Sequence, residues 1–150
     1  MLEIIKVLLE ELDSDKKHMP PTILYNEGWL LRVILWYLSQ YQIKDLPFSF
    51  CNGADWYSEG LLRSPFLPVY RGDELAESYT HADGIIGNIA VGGVGQSDIR
   101  LIDPYEQFIV LEAKLYSRLS GGTTRAPGYN QAARNIACMA EVVKRSGCSI

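Results

Sequence analysis

The segment Gln107–Ser117, QFIVLEAKLYS, constrains this chain more than any other. Phe108 to Leu111 are apolar at every position, the pattern of a strand covered on both faces. Glu112 and Lys114 then follow, opposite in charge and two residues apart. In a strand such residues point the same way. A core strand therefore ends by setting a carboxylate beside an ammonium, which is costly unless a partner or a ligand uses the pair.

The rest of the chain supplies a fold around that strand. Residues 2–13 have the period of an amphipathic helix, with Ile5, Leu8, Leu9 and Leu12 on one stripe. Its Glu3, Lys6, Glu10 and Glu11 argue against a signal peptide or a membrane span, so a reducing cytoplasm is the expected setting. After the break at Ser14–Pro21, a helix over about Thr22–Tyr41 is apolar around much of its circumference and is expected to be well buried. The irregular stretch 46–82 predicts a short helix near Trp56–Leu62 and exposed turns at Pro65, Pro68 and Gly72. Asp83–Val91 predicts a strand, GGVG at 92–95 a turn, and Ser97–Asp103 its hairpin partner. Ser117–Gly128 is a loop by composition, and no Gly-Lys-Ser/Thr makes it a phosphate-cradling one. Tyr129–Ser146 predicts a helix, basic in its last turn, with Gly147 placed to end it. Helices, strands and a final helix in this order predict an α/β or α+β domain, a mixed central sheet flanked by helices.

Composition narrows the function classes. The 150 residues suit one domain, with 47% hydrophobic and 21% charged residues excluding a disordered chain. The net charge of −4 counts against a generally basic nucleic-acid binder but leaves room for a local basic rim. Cys51, Cys138 and Cys148 are too few and too scattered for a disulfide framework or a zinc site.

Asp83 opens the apolar segment DGIIGNIAV, upstream of Glu112. Two carboxylates converging at the end of a sheet make a hard oxygen site suited to Mg2+ or Mn2+. A neighbouring lysine can hold a phosphate oxygen or stabilise a metal-generated hydroxide. Asp98 and Asp103 also precede the lysine strand; Asp98 is the main rival to Asp83, and Asp103 sits before Pro104 in a turn setting.

With these residues the chain resembles the PD-(D/E)xK nuclease superfamily, whose members are restriction-endonuclease-like. HADG at 81–84 looks like the first acidic motif and VLEAK at 110–114 like the second, with Ala82 where the strict motif has proline. The resemblance spans about residues 22–146. It implies an αβββα core, a metal-dependent endonuclease acting on nucleic acid, DNA being the expected substrate, and Asp83, Glu112 and Lys114 as its centre. Many members carry a glutamate on the helix before the sheet, matched by Glu27, and a glutamine on the helix after the lysine strand, matched by Gln131. The implied metal ligands are Asp83, Glu112 and Glu27, holding Mg2+ or Mn2+. Arg118, Thr124 and Arg125 in the following loop, with Arg134, are candidate nucleic-acid contacts. The core of this superfamily usually has a further strand after the glutamine helix, so a longer polypeptide or another element at that sheet edge is expected, and a homodimer is the other partner considered.

Plainer assignments exist for each residue. Glu112 and Lys114 can be a surface pair, Glu27 a first-turn carboxylate suiting the helix dipole, Gln131 a solvated first-turn residue. The rival functions are a nucleic-acid-binding module that does not cut, and a structural or assembly domain with a nuclease-like fold.

Overall fold

A computed structural model describes residues 28–41, 43, 46, 48–73, 76–93, 98–114, 118–122 and 127–147, together with 3, 6, 7 and 10. Those last four are helical, with Glu3, Lys6 and Glu10 exposed, while the rest of the first expected helix lies outside the described residues. The elements are α1 (Gly28–Tyr41), β1 (Asp55–Arg63), β2 (Tyr79–Gly87), β3 (Ile89–Val91), β4 (Ile99–Leu101), β5 (Phe108–Leu111) and α2 (Gln131–Arg145). This is an α+β arrangement. One sheet has the order β1-β2-β5, and β3 and β4 form a second two-stranded sheet. The expected mixed sheet is corrected: among the described residues the three strand pairs are antiparallel, and the parallel element there is an isolated bridge between Leu61 and Asp98. The single strand expected over Asp83–Val91 is divided: Ile89–Val91 forms β3 and pairs with β4 as the expected hairpin, whereas Asp83–Gly87 belongs to β2, which begins at Tyr79 and lies in the other sheet. No helix among the described residues is long and apolar enough to cross a membrane.

The helix expected at Trp56–Leu62 is instead the middle of β1. Trp56 packs with Leu35 of α1, and Tyr57 belongs to the cluster on the opposite face with Cys138 and Val142 of α2. Alternation then breaks. Beyond Glu59, Leu62 joins the α2 side, and a Cβ on Gly60 would point at Ile85 and Ile99 of that same cluster. Glu59 has φ of 59°, a left-handed conformation uncommon for a residue with a side chain. In β2 the break falls at the residue facing it: Ile86 and Gly84 lie toward α1, Ala82 toward α2, and Asp83 stands between. The pairs Ser58↔Gly84 and Gly60↔Ala82 set Glu59 across from Asp83.

Two cores result. The α2 side holds Tyr57, Leu62, Ala82, Ile85, Ile89, Ile99, Cys138 and Val142. The α1 side holds Leu35, Trp56 and Ile86, ringed by half-buried residues that include Trp36, Phe48 and Ile109. Gly84 permits the close seat of α1 on β2: a Cβ there would lie 3.0 Å from Leu31 Cδ2 and 3.1 Å from Leu35 Cδ1.

Two expectations of burial need correction. In α1 the buried residues are Gly28, Arg32, Leu35 and Leu38, whereas Leu30 and Ile34 are 55% and 41% exposed. The helix is thus covered on one face, and an arginine takes one of the inward positions. β5 is half-buried at all four positions rather than covered on both faces, since it pairs with β2 alone among the described strands.

Candidate functional site

The ladder between β2 and β5 ends at Gly84↔Leu111. One step beyond lie Asp83 and Glu112. Asp83 Oδ2 accepts a hydrogen bond from the Ala113 amide at 2.8 Å, which fixes the aspartate against the end of β5. The Asp83 carboxyl is also within hydrogen-bonding reach of Glu112. Burial first, and then the neighbouring Glu112, push Asp83 up to about 6, although the Ala113 amide and Lys114 pull the other way.

Glu112 is held from three directions. Lys114 Nζ lies 2.7 Å from Oε1, and Gln131 Nε2 donates a short hydrogen bond to the same oxygen. Asn135 Nδ2 donates to Oε2 at 3.3 Å. Gln131 and Asn135 sit four residues apart on α2 and so share a face. The helix starts at that point because the Asn130 side chain accepts from the Ala133 amide at 3.0 Å, an N-cap. Gln131 is further tied to the preceding loop: its Oε1 accepts from the Ser120 amide, and its own amide donates to Ser120 O.

Behind Asp83 stands Arg32. It is fully buried, its Nε donates to Ser58 Oγ at 2.9 Å, and its Nη2 lies 3.2 Å from Glu59 Oε1. Desolvation lowers its pKa, and the charges of Glu59 and Asp83 oppose that shift. A guanidinium remains protonated in such surroundings. It is a fixed positive charge at the row where both strands change face.

The residues expected from sequence thus divide. Asp83, Glu112, Lys114 and Gln131 come together at one end of the three-stranded sheet. Glu27, Thr124 and Arg125 lie outside the described residues. Arg118 is exposed in the loop after Lys114. Arg134 is engaged within the fold, with Nη1 3.6 Å from Glu77 Oε1 and Nη2 donating to Ser120 Oγ at 2.9 Å. Asp98 is buried and bridges Leu61 on the β1 side of the sheet, away from β5, so it is separated from Glu112 by two strands. Asp103 is exposed beside Pro104, as a turn residue would be.

Sequence reasoning missed Arg32, Glu59 and Asn135. The available signal for Arg32 was a charge inside an otherwise apolar helix. That for Asn135 was its four-residue spacing from Gln131.

The donor set suits a hard dication. Two adjacent carboxylates, one reluctant to ionise beside the other, gain from a cation between them. Mg2+ keeps several waters and needs only one or two carboxylates. Asp83 and Glu112 could supply these. Among the described residues no group of three or more His, Cys, Asp or Glu side chains gathers as a metal site.

Cys138 lies on the same helix but plays a different part. It is buried in the α2-side core, and burial pushes its thiol up to about 11, so it packs as a small apolar group.

No protein-family model, curated protein or solved structure matches the chain.

Proposed function

We propose that this chain is a divalent-cation-dependent nuclease that hydrolyses phosphodiester bonds, with DNA as the expected substrate. The observation that supports the reading best is the meeting of Asp83 and Glu112 across adjacent strands, with Lys114 Nζ 2.7 Å from the glutamate. A surface ion pair has no use for a second, partly desolvated carboxylate.

The roles follow from the contacts. Asp83 and Glu112 would hold Mg2+ or Mn2+, with Glu27 as the further ligand that the resemblance implies. When bound, the ion supplies Lewis acidity and an activated water. Lys114 offsets charge that develops on the phosphate and the attacking oxygen. Gln131 and Asn135 hold the Glu112 carboxylate in one orientation. Arg32 fixes Ser58 and Glu59 behind Asp83 and lowers the electrostatic cost of keeping Asp83 ionised next to Glu112.

Incubation with supercoiled plasmid and with single- and double-stranded oligonucleotides tests this, using Mg2+, Mn2+ or chelator. Metal-dependent nicking that disappears in Asp83→Asn is the expected result. Binding without cleavage in either metal would replace the nuclease with a non-cleaving nucleic-acid module.

A further inference from the structure

A second site lies away from the carboxylates. A cleft of about 460 Å³ opens between β4 and the last turn of α2, lined by Arg63, Asp98, Arg100 and Arg145 with Ile99, Leu101 and Val142. Three arginines and one aspartate line it, and with Glu141 paired to Arg145 the local charge is +3 − 2 = +1, in a protein whose net charge is −4. Arg145 alone is explained by its position, because a cation suits a helix C-terminus. Arg63 and Arg100 come from strands and have no such reason to be there.

We propose that this cleft binds a phosphorylated nucleoside. The guanidinium fork matches phosphate oxygens in geometry and charge. Arg63 is steadied over the Tyr79 ring at 5.4 Å, and Arg145 is steadied by Glu141 at 2.6 Å. The backbone carbonyls ending α2 repel an anion, so the phosphate belongs toward Arg63 and Arg100. Ile99, Leu101 and Val142 offer an apolar wall of the kind a base ring covers. Asp98, only 5% exposed, contributes a carboxylate at that wall, and a carboxylate accepts from ring N–H or exocyclic amino groups. The volume falls in the range of small-ligand pockets. The same chemistry is presented by a free nucleotide and by one nucleotide of a strand. The inference is independent of whether the carboxylate pair cuts.

Backbone-amide NMR of the full chain tests it. The protein is titrated with inorganic phosphate, with the four ribonucleoside 5′-monophosphates and thymidine 5′-monophosphate, and with a short oligothymidylate, all in chelator. Nucleoside monophosphates should perturb Arg63, residues 98–101 and residues 142–146, and bind at least about tenfold tighter than phosphate. The double variant Arg100→Glu with Arg145→Glu changes two exposed side chains and should weaken binding by about tenfold or more with an unchanged spectrum elsewhere. Tighter binding of the oligothymidylate than of thymidylate would identify the source as a strand, and the reverse a free nucleotide. The proposal is overturned by absence of perturbation at millimolar ligand, by unchanged affinity in the double variant, or by phosphate binding as tightly as the nucleotides.

Discussion

At the scale of single residues, Asp83 carries the clearest consequences. Its pKa rises from 3.8 to about 6 in the folded protein, mainly through burial. Between those values the folded chain keeps a proton that the unfolded chain has released. Stability without metal should therefore fall as pH rises from about 4 to about 6, then level off. Asp83→Asn keeps the shape and removes the titration, so its melting temperature should lack that decline; equal slopes in both proteins would remove Asp83 as the source. Above pH 6, Mn2+ at a hundredfold excess over Kd should stabilise wild type by about 2.7 kcal/mol and the variant by far less. Lys114 has a different signature. Lys114→Ala should fold normally yet lower cleavage by about a hundredfold or more, as when one transition-state donor is lost. Cleavage within a few-fold of wild type would take Lys114 out of the chemistry. These residues were legible because their types and spacing carry the chemistry themselves: a lone aspartate opening an apolar run, then Glu-x-Lys closing one.

At the scale of elements, legibility depended on whether a regular period survived. α2 was readable because Asn130 caps it and its polar and apolar residues keep helical spacing. β1 was not, because Glu59 breaks the alternation and leaves Trp56, Tyr57, Leu61 and Leu62 spaced like turns of a helix. α1 was expected to be buried around much of its circumference, and its apolar pattern gave no sign that Arg32 would turn inward while Leu30 and Ile34 face solvent. The arginine's burial becomes intelligible only with Ser58, Glu59 and Asp83, which are distant in sequence. Arg32→Ala should destabilise the protein by about 3–5 kcal/mol, because it strands a half-buried glutamate beside Asp83. Arg32→Ala combined with Glu59→Gln should recover part of that loss in denaturant melts; simple additivity would show that the two side chains are not coupled. Helix seating gives a prediction of the opposite kind. Gly84→Val adds volume where Leu31 and Leu35 already approach a built Cβ at 3.0 and 3.1 Å. It should cost about 1–3 kcal/mol. A neutral result in the same melts would mean that α1 can shift away from the sheet at little cost.

At the scale of the whole molecule, helices packed on a sheet follow from the order of periodic segments, whereas the antiparallel pairing and the division into two cores do not. That division arises from paired breaks in β1 and β2, and pairing of breaks is a property of register rather than of either segment. The candidate site draws on both cores. Gln131 and Asn135 ride on α2, whose side holds eight buried apolar residues among those described, while Arg32 rides on α1, whose side buries Leu35, Leu38, Trp56 and Ile86. Regions with fewer buried groups open at lower free energy than the global transition. Warming should thus release α1 from the sheet before the α2 side melts. The expected signature is thermal inactivation that precedes denaturation: catalytic half-life at a given temperature shortens while the amides of Ile85 and Cys138 still resist hydrogen exchange and those of Leu35 and Trp56 no longer do. Coincident loss of turnover and of protection at all four amides would make the protein a single cooperative unit. In the staggered case, working temperature is set by how firmly one helix stays docked, and selection for heat tolerance would act first on the residues beneath α1.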